Sequence, residues 1–403
     1  MNARPCPCCG GRRFESLLSF KGVPISGVFR SAATDALPRL DLDFELCANC
    51  GLARQVASSI PRDYAEVTRA TALQYPAYVH DLVSKLWESG IGANDLVLEV
   101  GANDGMFLDV LRDAGFKRVV GIEPSQQLAA AAHARGHNVV RAYFDTDLVP
   151  RLASEHGAAR AVICRHTLEH VPEPLDFVRA LRQCLADEGS IALVEIPDGS
   201  AIPDLMNVYE LWDEHLSYFS PRNFLRLLAA GGLYAIETAV QPHLETRNLL
   251  AWCRPASAVA NLEQTEPDRR NVALWKSLPP RWERFLAGFV EALRSAPGPV
   301  YAIGASHSQS NLINFSGVGQ WVDSYIDDDT AKLGRLPPVG EARSGIFSTA
   351  DFERSARSGS LVTTGFGYPR WTERLRAHAK AHGMNIIDPQ LFFSRHGQNE
   401  KVA

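Results

Sequence analysis

Leu96-Val97-Leu98-Glu99-Val100-Gly101-Ala102-Asn103-Asp104-Gly105 is a short apolar strand that runs into a glycine turn and opens a helix. An apolar run of this length, bounded by a turn, fits a strand buried on both faces. Glycines let the main chain approach a ligand closely, and the helix behind them favours negative groups at its start. The spacing is not the G-x-G-x-x-G of a dinucleotide site, because Ala102-Asn103-Asp104 intervene. Glu123 closes the next strand about 20 residues on, where a carboxylate can accept both hydroxyls of a ribose. Glu99 and Asp104 add negative charge around the turn. The expected occupant is a nucleoside-like ligand carrying a positive charge; a plain core turn with a surface glutamate is the simpler alternative.

Outward from this turn the pattern repeats as strand, turn and helix. Residues 106–114 and 125–135 read as helices, 118–122 as a strand, and 161–164 and 191–194 as short apolar strands with a helix near 175–185 between them. Such alternation predicts a parallel sheet with crossover helices. Residues 233–240 and 248–253 read as an antiparallel pair at its edge. A polar, proline-bearing stretch over 254–280 predicts a boundary, followed by a helix over 281–296. The theme then restarts with strands at 300–303, 321–326 and 361–364 and a helix over 370–382. Its Gly304-Ala305-Ser306 turn, with Asp327 closing the second strand, could hold a second nucleotide or only pack against the site. The expected organisation is an amino-terminal module over 1–60, a helical connector over 61–90, an α/β core over 91–254, a linker and helix over 255–298 and a smaller Rossmann-like α/β unit over 299–403.

The chain has 403 residues and a net charge of −5, which gives no electrostatic footprint for nucleic acid or an anionic membrane. No run approaches the roughly 20 apolar residues of a membrane span, and the start lacks a signal-peptide pattern. A cytoplasmic protein acting on a small molecule is expected, with its oligomeric state open. Five of the eight cysteines crowd the first fifty residues. Cys6-Pro7-Cys8-Cys9-Gly10 and Cys47-Ala48-Asn49-Cys50-Gly51 form two C-x-x-C-G knuckles, each able to aim two thiolates at one metal. Cys6, Cys9, Cys47 and Cys50 are the expected ligands of a structural zinc, with Cys8 the alternative to Cys9. Four thiolates leave no open position, so this site says nothing about the reaction.

Glu99 to Gly105, Gly121-Ile122-Glu123-Pro124 and the strand near Ala161 resemble the cofactor motifs of class I S-adenosylmethionine methyltransferases. With the cysteine knuckles in front and the second α/β unit behind, the whole chain resembles the zinc-containing sugar C-methyltransferases, which act on nucleotide-linked keto-deoxysugars in antibiotic pathways. The resemblance implies a Rossmann-like methyltransferase core and S-adenosylmethionine as cofactor. It places Glu99, Gly101, Asn103, Asp104, Gly105, Phe107, Glu123, Pro124, Phe144, Arg165 and His166 around that cofactor. It also implies that the carboxy-terminal unit helps to hold the nucleotide of the substrate.

Two histidine-bearing stretches should border the crevice at the strand ends: Arg165-His166-Thr167-Leu168-Glu169-His170 and Trp212-Asp213-Glu214-His215. The resemblance puts His170, Glu214 and His215 on catalytic positions, with His166 beside them and Tyr64 the candidate for a family tyrosine. A carbon next to a ketone is acidic enough for a histidine to deprotonate. His215 is the expected base, His170 would bind the substrate oxygen, and Glu214 would orient an imidazole. The chain departs from the family at Leu211-Trp212-Asp213, at residues 244–248 and at His307-Ser308-Gln309, where a lysine is lost. An O- or N-methyltransferase, or a non-catalytic cofactor-binding module, are the alternatives.

Overall fold

A computed structural model describes residues 4–56, 78–243, 246–256, 266–363 and 369–394. Tyr64 and the connector before residue 78 lie outside the described residues.

The amino-terminal strands are β1 (Phe14–Pro24), β2 (Arg39–Cys47) and β3 (Ala53–Gln55), followed by helix α1 (Tyr78–Glu88). The core alternates β4 (Leu96–Val100), α2 (Met106–Asp113), β5 (Arg118–Ile122), α3 (Gln126–Ala134), β6 (Asn138–Val140), α4 (Val149–His156), β7 (Ala161–Arg165), α5 (Pro174–Cys184) and β8 (Ile191–Pro197). Then come α6 (Ala201–Leu205), β9 (Ser217–Tyr218), α7 (Pro221–Ala230), β10 (Leu233–His243) and β11 (Thr246–Pro255). Helices α8 (Arg269–Lys276) and α9 (Leu278–Arg294) lead into β12 (Val300–Ile303), α10 (His307–Ser316), β13 (Ser324–Ile326), β14 (Ile346–Phe347), α11 (Thr349–Ser355), β15 (Ser360–Val362), α12 (Pro369–Ala381), β16 (Asn385–Ile387) and α13 (Gln390–Ser394).

The central sheet runs β10-β11-β8-β7-β4-β5-β6, parallel except where β11 enters antiparallel beside β8 and pairs with β10. Every residue of β4 is buried, as a strand covered on both faces requires. Val97 packs with Val79, Leu82 and Leu111 on one face; Leu96, Leu98 and Val100 pack with Phe177 and Leu181 on the other. The antiparallel pair expected at the sheet edge is β10 and β11, with β10 outermost. A second sheet, β14-β13-β12-β15-β16, is wholly parallel.

Strand β2 alternates Leu40, Leu42, Phe44 and Leu46 inward. Their side chains join Trp275, Phe285, Phe289 and Val300 in one apolar core, and Phe20 stacks on Phe315 at 3.8 Å. The amino-terminal strands and the carboxy-terminal unit, far apart in sequence, therefore share a core. The stretch over 254–280 is not all linker: α8 lies within it, and α9 starts at Leu278 with prolines in its first turn, where a missing N–H breaks no helical bond. The strand expected over 321–326 begins only at Ser324, after a turn of 3₁₀ helix.

One junction bears directly on function. β9 extends the amino-terminal sheet by pairing with β3, Ala53 opposite Tyr218 and Arg54 opposite Ser217. The loop carrying Glu214 and His215 is thereby tied to the cysteine-bearing module.

Candidate active site

The carboxyl ends of β4, β5 and β7, with the loop after β6, surround a cavity of about 690 Å³. Gly101, Asn103, Glu123, Pro124, Phe144 and His166 line it, joined by Tyr143, Thr167 and His170. The turn needs its glycine: Gly101 has φ +81°, and a Cβ there would sit 2.1 Å from Thr167 Oγ1. Glu123 holds the turn open. Its Oε2 accepts the Asn103 N–H at 2.9 Å and its Oε1 the Ser125 N–H at 2.8 Å.

The other expected cofactor residues stand behind the wall. Asp104 pairs with Arg135 at 3.2 Å, and Gly105 is the N-cap of α2 at φ +84°. Phe107 is fully buried beneath the Arg165 guanidinium, 4.8 Å from its ring centre. Glu99 is buried with Oε2 lacking a hydrogen bond; its pKa is pushed well above the carboxylate range by burial, and further by Glu123 and Asp104.

Arg165 ends β7 and His166 follows it, beside Glu195, a fully buried carboxylate near the end of β8 that the sequence pattern did not single out. Glu195 accepts from Arg165 Nε at 2.6 Å, the Tyr78 hydroxyl at 2.5 Å and Asn248 Nδ2 at 3.0 Å. His166 takes left-handed backbone, φ +49°, a conformation uncommon outside glycine and worth explaining where it occurs. Desolvation would lower its pKa, but Glu169 and Glu195, 3.8 and 3.5 Å away, outweigh that and raise it to about 9.

The second histidine stretch meets the first. His170 and His215 lie with ring centres 4.8 Å apart, and Trp212 is 4.8 Å from His215. The His170 Nδ1–H donates to the Glu214 main-chain carbonyl at 2.9 Å. His170 and Leu216 line the cavity, while Glu214 and His215 are buried just behind it. The 211–216 loop is held from three sides. The Gln55 N–H donates to the Leu216 carbonyl, the Leu216 N–H donates to the Glu169 main-chain carbonyl, and Trp212 stacks on His307 of α10 at 4.4 Å. Ser308 adds a hydrogen bond to Glu210 at 2.7 Å.

Away from the cavity, Cys6, Cys9, Cys47 and Cys50 are buried with all four sulfurs within 4.8 Å of one another. The Cys6–Cys50 and Cys9–Cys47 sulfurs are 3.5 and 3.6 Å apart. A tetrahedral ion with bonds of about 2.3 Å would set them roughly 3.8 Å apart. Gly10 and Gly51, at φ +67° and +69°, close the two knuckles, and their N–H groups donate to the carbonyls of Cys6 and Cys47. Crowding pushes the pKa of Cys6, Cys47 and Cys50 up and that of Cys9 far down. Such a cluster calls for a cation. Cys8 is buried outside the four.

The methyltransferase domain family matches residues 71–238, which hold the cavity and both histidine stretches. The chain is also 26% identical over 355 residues to the C-methyltransferase NovU of Streptomyces niveus, across 83% of each protein. This chain is an S-adenosylmethionine-dependent methyltransferase with the class I fold. The methyltransferase is 31% identical over 97 residues to a ubiquinone biosynthesis O-methyltransferase of Sodalis glossinidius, covering 24% of this chain and 39% of that protein. Among solved structures it is similar to magnesium protoporphyrin IX methyltransferase (ChlM) of Synechocystis PCC 6803 with bound SAH, at 16% identity and a TM-score of 0.35, over 44% of this chain and 81% of that one. Among the described residues, no helix of the methyltransferase is long and apolar enough to cross a membrane.

Proposed function

We propose that this methyltransferase transfers its methyl group to a carbon next to a carbonyl, on a nucleotide-linked deoxysugar, with His215 as general base. The observation that carries the reading is the His170–His215 pair, 4.8 Å between rings, of which His170 lines the same cavity as Gly101 and Glu123. Likeness to a C-methyltransferase over most of the chain supports carbon as the acceptor atom. Gly101, Asn103 and Glu123 would hold S-adenosylmethionine, which supplies an electrophilic methyl on a cationic sulfur. Glu123 accepts from ribose hydroxyls, and Asp104 places negative charge behind the turn. His215 removes the proton from carbon; His170, fixed by the Glu214 carbonyl, addresses the acceptor oxygen. The α10 end of the carboxy-terminal unit braces the loop through His307 and Ser308 and would hold the nucleotide part.

O-methylation of another metabolite is the second reading, favoured by the similarity to an O-methyltransferase over 97 residues, and it keeps His215 as base. Incubation with ¹³C-methyl cofactor and keto-sugar nucleotides separates the two: the first gives a carbon-bound methyl resonance, the second an oxygen-bound one. His215→Ala should lower kcat by about 10²–10⁴-fold with cofactor affinity unchanged. Full turnover in that variant would move the base elsewhere.

We also assign a structural zinc to Cys6, Cys9, Cys47 and Cys50, supported by the buried four-sulfur set. Free thiols in this number suit a reducing cytoplasm. Metal analysis should find one zinc per chain, and Cys47→Ser should lose it and lower the unfolding midpoint. A metal-free wild type of undiminished stability would contradict the assignment.

A further inference from the structure

We infer that Glu169 is a positioning residue that keeps a proton on His170, so that this imidazole hydrogen-bonds the acceptor oxygen as an acid while His215 takes the proton from carbon. The inference rests on the reaction proposed above and adds a carboxylate to it.

Glu169 sits in the 3₁₀ turn that follows β7 and is 2% exposed. It is the carboxylate among the described residues whose two oxygens are both buried without a hydrogen-bond donor. A carboxylate in that position persists only beside a cation or by holding its own proton. Its nearest partners are the histidines: Oε1 is 3.8 Å from His166 Nδ1 and 4.0 Å from His170 Nε2. The His170 tautomer closes the argument. Nδ1 lies 2.9 Å from the Glu214 carbonyl, which can only accept, so Nδ1 carries hydrogen. In a neutral ring Nε2 would then turn a lone pair toward Glu169. A proton on Nε2 converts that opposition into an ion pair.

The other charged groups around this turn have partners of their own. Glu195 on β8 is engaged by Arg165, Tyr78 and Asn248, and it also faces His166. At the head of α5, Glu173 pairs with Arg4 and Asp176 with Arg179, both out in solvent. On the 211–216 loop, His215 lies 4.8 Å and Trp212 5.9 Å from the His170 ring, with Asp213 and Glu214 buried in the same loop. On β9, the Tyr218 ring is 6.0 Å from His215 and its hydroxyl bonds to the Trp212 main chain.

The chemistry balances. The C–H bond next to the carbonyl breaks and its proton goes to His215. The electron pair shifts toward the acceptor oxygen, which takes a hydrogen bond or the proton from His170. The pair then forms the new bond to the methyl carbon as the methyl–sulfur bond breaks, and the oxygen returns its proton to His170. One proton leaves with His215 to solvent.

The test is the titration of His170, followed by NMR of ¹³Cε1-histidine protein and assigned by the signal missing from His170→Gln. In wild type His170 should stay protonated through neutral pH, well above an ordinary imidazole value of about 6.5. A wild-type midpoint at or below that value overturns the inference without any variant. Glu169→Gln should lower the midpoint by at least one pH unit. It should cut kcat at least tenfold, leave cofactor KM within twofold, and move the alkaline limb of the pH–rate profile down with the midpoint. The limb is alkaline because the active form is the protonated one and is lost as pH rises through its pKa. Glu169→Asp should restore part of both shifts. An unmoved limb in a Glu169→Gln protein that still binds cofactor overturns the inference. A high midpoint with no transfer to any keto acceptor overturns the proposed acceptor instead, and leaves Glu169 as the group that charges His170.

Discussion

The two α/β units present one device twice. β4 ends at Gly101 with φ +81° and β12 ends at Gly304 with φ +85°. In each, the acid that closes the next strand accepts an N–H from the turn: Glu123 from Asn103 at 2.9 Å, Asp327 from Ala305 at 3.0 Å. The surroundings then diverge. Glu123 borders the cavity of about 690 Å³, whereas Asp327 is clamped by Lys332 at 3.1 Å. A Cβ at Gly101 would strike Thr167, whereas nothing lies within 4 Å of one at Gly304. The shared motif makes the backbone shape. What packs behind it, and which charges are already paired, decides whether the turn is left to receive a ligand.

That difference can be broken by substitution. Gly101→Ala carries the largest expected effect in this pair: left-handed strain of about 1–2 kcal/mol plus overpacking of about 1–3 kcal/mol against Thr167. Both unfolding midpoint and cofactor affinity should fall. Gly304→Ala should cost only the strain, about 1–2 kcal/mol, and leave cofactor affinity as it was. Equal losses in the two variants would mean that the turns are not distinguished by their packing.

The sequence made the first turn legible because its signals are local. A buried strand, glycines at its end and an acid on the next strand are all read within thirty residues. The cysteine knuckles are legible for the same reason. Glu169 was passed over because the reading took only the histidines from Leu168-Glu169-His170. The available signal was that β7 is buried along its whole length, which places the turn after it inside the protein. Glu195 gave a similar sign, a carboxylate within the apolar run Leu193-Val194-Glu195-Ile196. The bracing of the 211–216 loop had no sequence signal. It depends on Trp212 meeting His307 and on β9 pairing with β3, contacts between segments that only the folded core brings together. Strand β6 has three residues, too few for a period to show, whereas α4 and α7 carried a legible signal, with Val149 and Leu152 and with Phe224, Leu227 and Leu228 buried at helical spacing.

Calorimetric titration with S-adenosylmethionine of the wild type, Glu123→Ala and Asp327→Ala tests the account most directly. It predicts one cofactor per chain in wild type. Glu123→Ala should weaken binding by about 1.5–3 kcal/mol through the lost charged acceptor, roughly 10- to 150-fold, while Asp327→Ala binds like wild type. Unchanged affinity in Glu123→Ala, together with lost affinity in Asp327→Ala, would put the cofactor on the other turn and contradict the account.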